Sequence, residues 1–262
     1  MKRRQLMRYA GASFLATLGM SLTSGWQHYQ AQPSNSLSVQ WLGHTCFLFV
    51  ASGKRLLVNP FRTLGCTAGY RAPNIPADLV MISSQLLDEG AVEALPGDPR
   101  LLYEEGIYQV DGMQIQGFQI PKDREGGRRF GFNIAWKWMQ AGINIVHLGA
   151  LAAPLDIEQR ILMGRPDLLL LPVGGGPKAY TPQEAKQAMQ TLNPKMVIPT
   201  HYRTQAADAN QCDIVSVEEF LSLLPESSIR RLNSDTITLS PADLPEKGPI
   251  ISVLSYNFSS EK

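Results

Sequence analysis

The sequence has few cysteines and little charge of either sign. Three cysteines without a Cys-x-x-Cys spacing are too few for a small disulfide scaffold. Charged residues make up 18% of the 262 residues and hydrophobic residues 44%, which excludes a disordered or collagen-like chain. The chain is therefore long and apolar enough to bury a sizeable core.

The sequence also lacks the excess of basic residues that would create a positively charged surface. The net charge is +1, and four of the 24 basic residues lie within the first 32 positions, which contain no acidic residue. The rest of the chain carries 20 basic and 23 acidic side chains. Because binding to a phosphate backbone needs a positive surface, we expect no nucleic-acid partner.

Two catalytic motifs are absent as well. No Gly-x-Ser-x-Gly phrase is present, and the local sequence suggests no Cys-His pair, so nucleophilic acyl transfer has no candidate residue. The glycines at 174–176 lack the lysine and Ser/Thr spacing of a P-loop, which excludes nucleotide binding there.

The N-terminus resembles a twin-arginine export signal. A basic head containing Arg3 and Arg4 precedes a weakly apolar, glycine-broken stretch at residues 9–25, which is a poor permanent transmembrane helix. We expect residues 1–32 to be an export signal, cleaved near Ala31, or a retained anchor that associates with a membrane. The implied compartment is the periplasm or the thylakoid lumen; a chance basic start to a cytoplasmic protein is the alternative. In an oxidising compartment Cys46 and Cys66 could pair, or both could be buried thiols.

The sequence pattern predicts one α/β domain at residues 37–256. Alternating or continuous apolar runs predict strands, and Thr181-Pro182-Gln183-Glu184 is a capping box that begins a helix ending at Asn193. Predicted strands lie at 38–42, 46–50, 55–58, 78–82, 113–120, 132–138, 143–148, 168–172 and 196–199, and further helices at 156–163 and 217–224. Strand meanders followed by strand and helix alternation favour a layered arrangement.

Six phrases, in this order, resemble the metallo-β-lactamase-fold superfamily, in the branch of small bacterial metal-dependent hydrolases related to ascorbate-phosphate lactonases. They are the phrases WLGHTCF (41–47), LVNPF (57–61), ADLVMIS (77–83), HLG (147–149), LPVGG (171–175) and IPTHY (198–202). The resemblance implies a four-layer αββα sandwich with a metal site at the strand ends.

The same resemblance shows that most metal ligands are missing. Ser84 and Leu86 stand where the family's first two histidines belong, and Glu89 replaces the third. Other ligand positions carry Lys122 and Ala150. Asp88 and His201 are retained.

These replacements leave one of two metal sites at most, because catalytic zinc needs three protein ligands. Asp88, Glu89 and His201 could still hold one zinc or manganese ion. Against a metal stands Lys122, whose ammonium could pair with Asp88 or Glu89 and replace the missing ion electrostatically.

The other polar candidates have two interpretations each. His44 follows a strand and could face a ligand or make a structural hydrogen bond; His201 could be a ligand or a hydrogen-bonded pocket residue. His147 lies among apolar neighbours and is expected to be a satisfied core histidine. Arg124, with Arg128 and Arg129, could hold an anion or form a solvated hairpin tip.

The sequence therefore favours a catalytically degenerate, exported binding or accessory protein without a cofactor. The expected pocket is lined by His44, Ser84, Asp88, Glu89, Lys122 and His201. Its expected partner is a protein of unknown identity or a small anion, which Lys122 and the nearby arginines would bind. The alternative is a mononuclear hydrolase of lactones or phosphoesters that uses Asp88, Glu89 and His201.

Overall fold

The apolar runs form two mixed sheets in the computed structural model, which describes residues 35–258. The strands of the first sheet are β1 (Leu37–Gly43), β2 (Cys46–Ala51), β3 (Lys54–Val58), β4 (Leu79–Met81), β5 (Arg100–Leu102) and, later in the chain, β13 (Thr236–Leu239). Those of the second are β6 (Gly106–Val110), β7 (Met113–Pro121), β8 (Phe132–Gln140), β9 (Ile143–His147), β10 (Leu168–Pro172), β11 (Met196–Thr200), β12 (Ile229–Arg231) and β14 (Ile250–Val253).

Each sheet combines an antiparallel meander with parallel strands. The first has the order β13-β1-β2-β3-β4-β5, in which only β3-β4 and β4-β5 are parallel. The second has the order β12-β14-β11-β10-β9-β8-β7-β6, in which β6 to β9 form an antiparallel meander and the remaining neighbours are parallel. Parallel strands place their carboxyl ends at one edge, which is where ligands bind in sheets of this kind.

The core lies between the two sheets and is rich in aromatic side chains. Phe49 of β2 meets Trp138 of β8 edge to face, with ring centroids 4.9 Å apart. Trp136 and Trp138 are both buried, as their alternation in the sequence predicts for one packed face.

The helices are α1 (Ile157–Met163), α2 (Pro182–Leu192) and α3 (Val217–Leu221), and α2 contacts α1, α3 and β10. The predicted capping box of α2 is present, since Thr181 Oγ1 accepts from the backbone N–H of Glu184 and the Glu184 carboxylate accepts from that of Thr181. Helix α3 ends three residues earlier than predicted. The two mixed sheets and three helices confirm the expected α/β sandwich.

The cysteines pair differently from the expectation. Cys66 is bonded to Cys212, and Cys46 is a buried free thiol in β2. The alternative pairing of Cys46 with Cys66 is wrong because the Cys46 side chain packs in the core, whereas Cys66 faces the loop that follows β11.

The expected signal or anchor at residues 1–32, with the Ala31 cleavage site, lies outside the described residues. Within residues 35–258 no helix is both long and apolar enough to cross a membrane.

Candidate metal centre

The carboxyl ends of strands from both sheets converge on one edge of the sandwich. His44 directly follows β1, and His201 directly follows β11. Both residues have a left-handed backbone, with φ of 53° and 50°, a conformation that is uncommon outside glycine and is enriched at functional sites. The loop after β4 supplies Asp88, so three elements that are remote in sequence present polar groups to one place.

His44, Asp88 and His201 form the cluster with metal-ligand chemistry in the described part of the chain. One donor atom from each residue lies within 4.8 Å of the donors of the other two. The two imidazole rings are 4.3 Å apart between centroids and are almost fully buried. Two imidazoles and a carboxylate are a donor set that zinc and related divalent ions accept.

Backbone hydrogen bonds join the two histidines. The Trp41 indole donates to the backbone carbonyl of His44 at 3.1 Å, and the backbone N–H of His201 donates to the same carbonyl at 3.4 Å. Beside them, Gly174 cannot be replaced, because a Cβ there would lie 2.2 Å from the backbone oxygen of His201.

The electrostatics of the cluster keep its donors unprotonated. Burial lowers the pKa of His44 to about 4 and that of His201 well below its ordinary value, so both rings are neutral at neutral pH. Burial alone would raise the pKa of Asp88, but the Lys178 ammonium, with smaller contributions from His44 and Lys122, holds it below its usual range. Neutral imidazole and ionised carboxylate are the forms that bind metal.

Lys178, which the sequence analysis did not select, forms an ion pair with Asp88. It lies in the loop between β10 and α2. Arg124 secures this loop by donating to the backbone oxygens of Gly176 and Ala179 and to the Glu184 carboxylate. The Arg124 guanidinium thus bonds to protein groups of this loop, and its side chain is 37% exposed.

The remaining predicted pocket residues form a second group, in which Glu89 and Lys122 are fully buried and Ser84 is half-buried. Lys122 donates to the Glu89 carboxylate and to the backbone oxygen of Ala150. Glu89 also accepts from the backbone N–H of Ala150 at 2.6 Å and from the Ser84 hydroxyl at 2.8 Å. The predicted Lys122 ion pair is thus present, with Glu89 rather than Asp88 as its partner.

This arrangement corrects the alternative ligand set. Glu89 is outside the donor cluster, and both of its oxygens are bonded to Lys122, Ala150 and Ser84. His44 takes its place beside Asp88 and His201.

His147 is a satisfied core histidine, as expected. Its Nε2 lies 3.1 Å from the backbone oxygen of Thr45, and its Nδ1 accepts from the backbone N–H of Gly149 at 3.0 Å. These contacts require the neutral ring with a proton on Nε2. Burial lowers its pKa to about 4.

The buried His147 predicts a pH dependence of stability. Between pH 6.5 and pH 4 the unfolded chain binds a proton at this ring that the folded chain excludes. Stability from His147 is therefore complete above pH 6.5 and declines by about 3 kcal/mol as the pH falls toward 4. Urea unfolding at several pH values should show a shallower decline for His147→Gln; equal slopes for both proteins would contradict this assignment.

The residues present fit one metal ion and not two. Within the described residues, Nδ1 and Nε2 of His44 and Nδ1 of His201 are buried without a hydrogen-bond partner. Unpaired buried polar atoms are costly, and a cation facing the Asp88 carboxylate would satisfy them. In the neighbouring group the Glu89 carboxylate is paired with the Lys122 ammonium, which would repel a second cation.

Comparison with known proteins agrees with this fold. The family model described as "Beta-lactamase superfamily domain" matches residues 38–201, from the first strand to the second histidine of the cluster. The chain belongs to the beta-lactamase superfamily.

The match to this chain spans most of the length of the proteins that it resembles. A protein of Thermococcus onnurineus named "UPF0173 metal-dependent hydrolase" is 29% identical over 237 residues, which are 80% of this chain and 99% of the relative. A protein of the same name from Pelotomaculum thermopropionicum is 31% identical over 199 residues, 64% of this chain and 85% of the relative. A crystal structure of a metallo-beta-lactamase superfamily protein from Thermotoga maritima has a TM-score of 0.65 at 29% identity and covers 84% of this chain and 100% of its own.

Proposed function

We propose that this protein is a hydrolase that depends on one divalent metal ion held by His44, Asp88 and His201. The observation that carries the proposal is the convergence of three donors, with unpaired imidazole nitrogens, at the edge where the strand ends meet. The relatives named metal-dependent hydrolases support it. They favour the hydrolase over the catalytically degenerate accessory protein that the missing ligands suggested.

The side chains around the proposed metal site suit metal-dependent hydrolysis. A bound divalent ion would supply a water molecule of lowered pKa and a Lewis acid for the scissile bond. His44 and His201 offer neutral nitrogens, and the strained backbone after β1 and β11 holds both rings in place. Lys122 and Glu89 form a buried ion pair, so the Glu89 carboxylate needs no metal ion to balance its charge. Lactones and phosphoesters are the proposed substrate class.

We also propose that the protein works in an exported, oxidising compartment. The disulfide between Cys66 and Cys212 supports this, because such bonds persist in the periplasm and comparable spaces and are rare in the cytosol. The basic and weakly apolar segment at residues 1–32 supports it independently.

The direct test is elemental analysis of the full chain, purified without chelator and then equilibrated with zinc, manganese or iron. We expect about one equivalent of metal in the wild type and less than about a tenth in Asp88→Ala/His201→Ala, which lacks two of the three ligands. Asp98→Ala, which changes an exposed aspartate elsewhere, is the matched control and should keep its metal.

Two results would overturn the proposal. Less than about a tenth of an equivalent in the wild type would leave a metal-free binding protein, in which the two lysine–carboxylate pairs take the place of ions. About two equivalents would show that Lys122 does not close the second site.

A further inference from the structure

We propose that Lys178 is the residue that binds the anionic group of the substrate, and that the substrate class is a small carboxylate- or phosphate-bearing molecule. This inference rests on the proposed metal site but concerns a different residue. Lys178 donates nothing to a metal, and no residue in the superfamily's metal-ligand phrases described above corresponds to it.

The first support is the exposure of Lys178, which is greater than that of the two histidines. The side chains of Lys178 and Asp88 are 22% and 18% exposed, whereas His44 and His201 are only 1% and 2% exposed. The Lys178–Asp88 pair is therefore the part of this group that lies nearest to solvent. A cation in that position attracts anions.

The second support is the balance of charge. The formal charges that face this region are those of Asp88, Glu89, Lys122 and Lys178, which cancel, and the two imidazoles are neutral. A divalent ion that shares the Asp88 carboxylate raises the local charge to two positive units. A buried excess of positive charge is costly unless an anion accompanies it.

The third support is the rigid backbone beneath Lys178. Arg124 holds the carbonyls on both sides of it, those of Gly176 and Ala179, and Gly175 N–H donates to the backbone oxygen of Tyr180 at 2.8 Å. These bonds would hold the loop in place if Asp88 held a metal. The Lys178 ammonium would then be available to donate strong, charge-assisted hydrogen bonds to an oxyanion.

The test is a titration of the cobalt-loaded full chain with inorganic phosphate, followed by the visible absorption of cobalt and by calorimetry. The wild type is compared with Lys178→Met and Lys178→Arg. Lys186→Met is the matched control, because Lys186 lies on α2 and donates to the Leu223 carbonyl, away from the cluster. Cobalt content, measured first, reports on the metal site alone.

We expect Lys178→Met to bind cobalt at least as tightly as the wild type, since no ammonium competes for Asp88, and to bind phosphate at least about tenfold more weakly. Lys178→Arg should recover most of the phosphate affinity, and Lys186→Met should change it by less than about twofold. Cobalt-loaded Lys178→Met that binds phosphate like the wild type, or a cobalt-loaded wild type that binds none, would overturn the inference while leaving the metal site intact. Failure to bind cobalt would instead refute the proposed function, and the inference with it.

Discussion

Replacing Lys122 with methionine is expected to lower the free energy of unfolding by about 3–5 kcal/mol. The substitution leaves the Glu89 carboxylate fully buried with no counter-charge and leaves the Ala150 carbonyl without its donor. A buried, unpaired carboxylate is one of the largest single penalties a folded chain can carry. Urea unfolding of the full chain, followed by tryptophan fluorescence, measures the loss.

Two further variants separate the charge effect from loss of side-chain packing. Lys122→Met/Glu89→Gln removes both charges and keeps an acceptor for the backbone N–H of Ala150, so it should recover at least half of the loss. Lys195→Met breaks a partly exposed pair with Asp167 and should cost less than about 1 kcal/mol. A Lys122→Met protein with nearly wild-type stability would show that Glu89 does not need its partner.

Removing the Cys66–Cys212 disulfide, by Cys66→Ser/Cys212→Ser, should lower the free energy of unfolding by about 2–5 kcal/mol. The bond closes a loop across 146 positions of the sequence, so its loss frees a large part of the unfolded chain. The change is measured as the shift in urea midpoint with and without reductant. Reductant should reproduce the loss in the wild type and have no effect on the double variant.

The disulfide also affects the candidate metal centre. It fastens the loop after β3 to the loop after β11, and these loops are joined again by a hydrogen bond of 2.7 Å between the hydroxyls of Tyr70 and Thr204. The Tyr70 ring packs directly against Gly43, the residue before His44. We expect the double variant to release its metal to chelator faster than the wild type does. Unchanged stability and unchanged release together would mean that the backbone contacts between the loops suffice.

The sequence predicted most of the fold because its strands are strongly patterned. Continuous apolar runs such as 168–172 and the capping box at Thr181 coincide with observed elements. Short, partly exposed strands were missed, among them β5 and β12, because three residues that are not all apolar show neither a period nor a continuous apolar run.

The candidate site was predictable only in part. The family phrases indicated Asp88 and His201, and the unlike charges of Lys122 and Glu89 indicated an ion pair. His44 was left undecided because its direction depends on a left-handed backbone that no local pattern signals in a non-glycine residue. Lys178 and Cys212 were missed since each meets its partner across 90 or more positions of sequence.

The pairing of β13 with β1 constrains when the first sheet can be completed during synthesis. Strand β1 pairs with β13, so the first strand of the domain waits for residues 236–239 before its outer edge is covered. During synthesis, β1 and its meander must remain unpaired along that edge while almost two hundred residues follow, and an exposed strand edge invites association with other chains. Folding of this domain is thus expected to finish only after β13 has been synthesised, and a chaperone that shields the β1 edge should raise the yield of native protein.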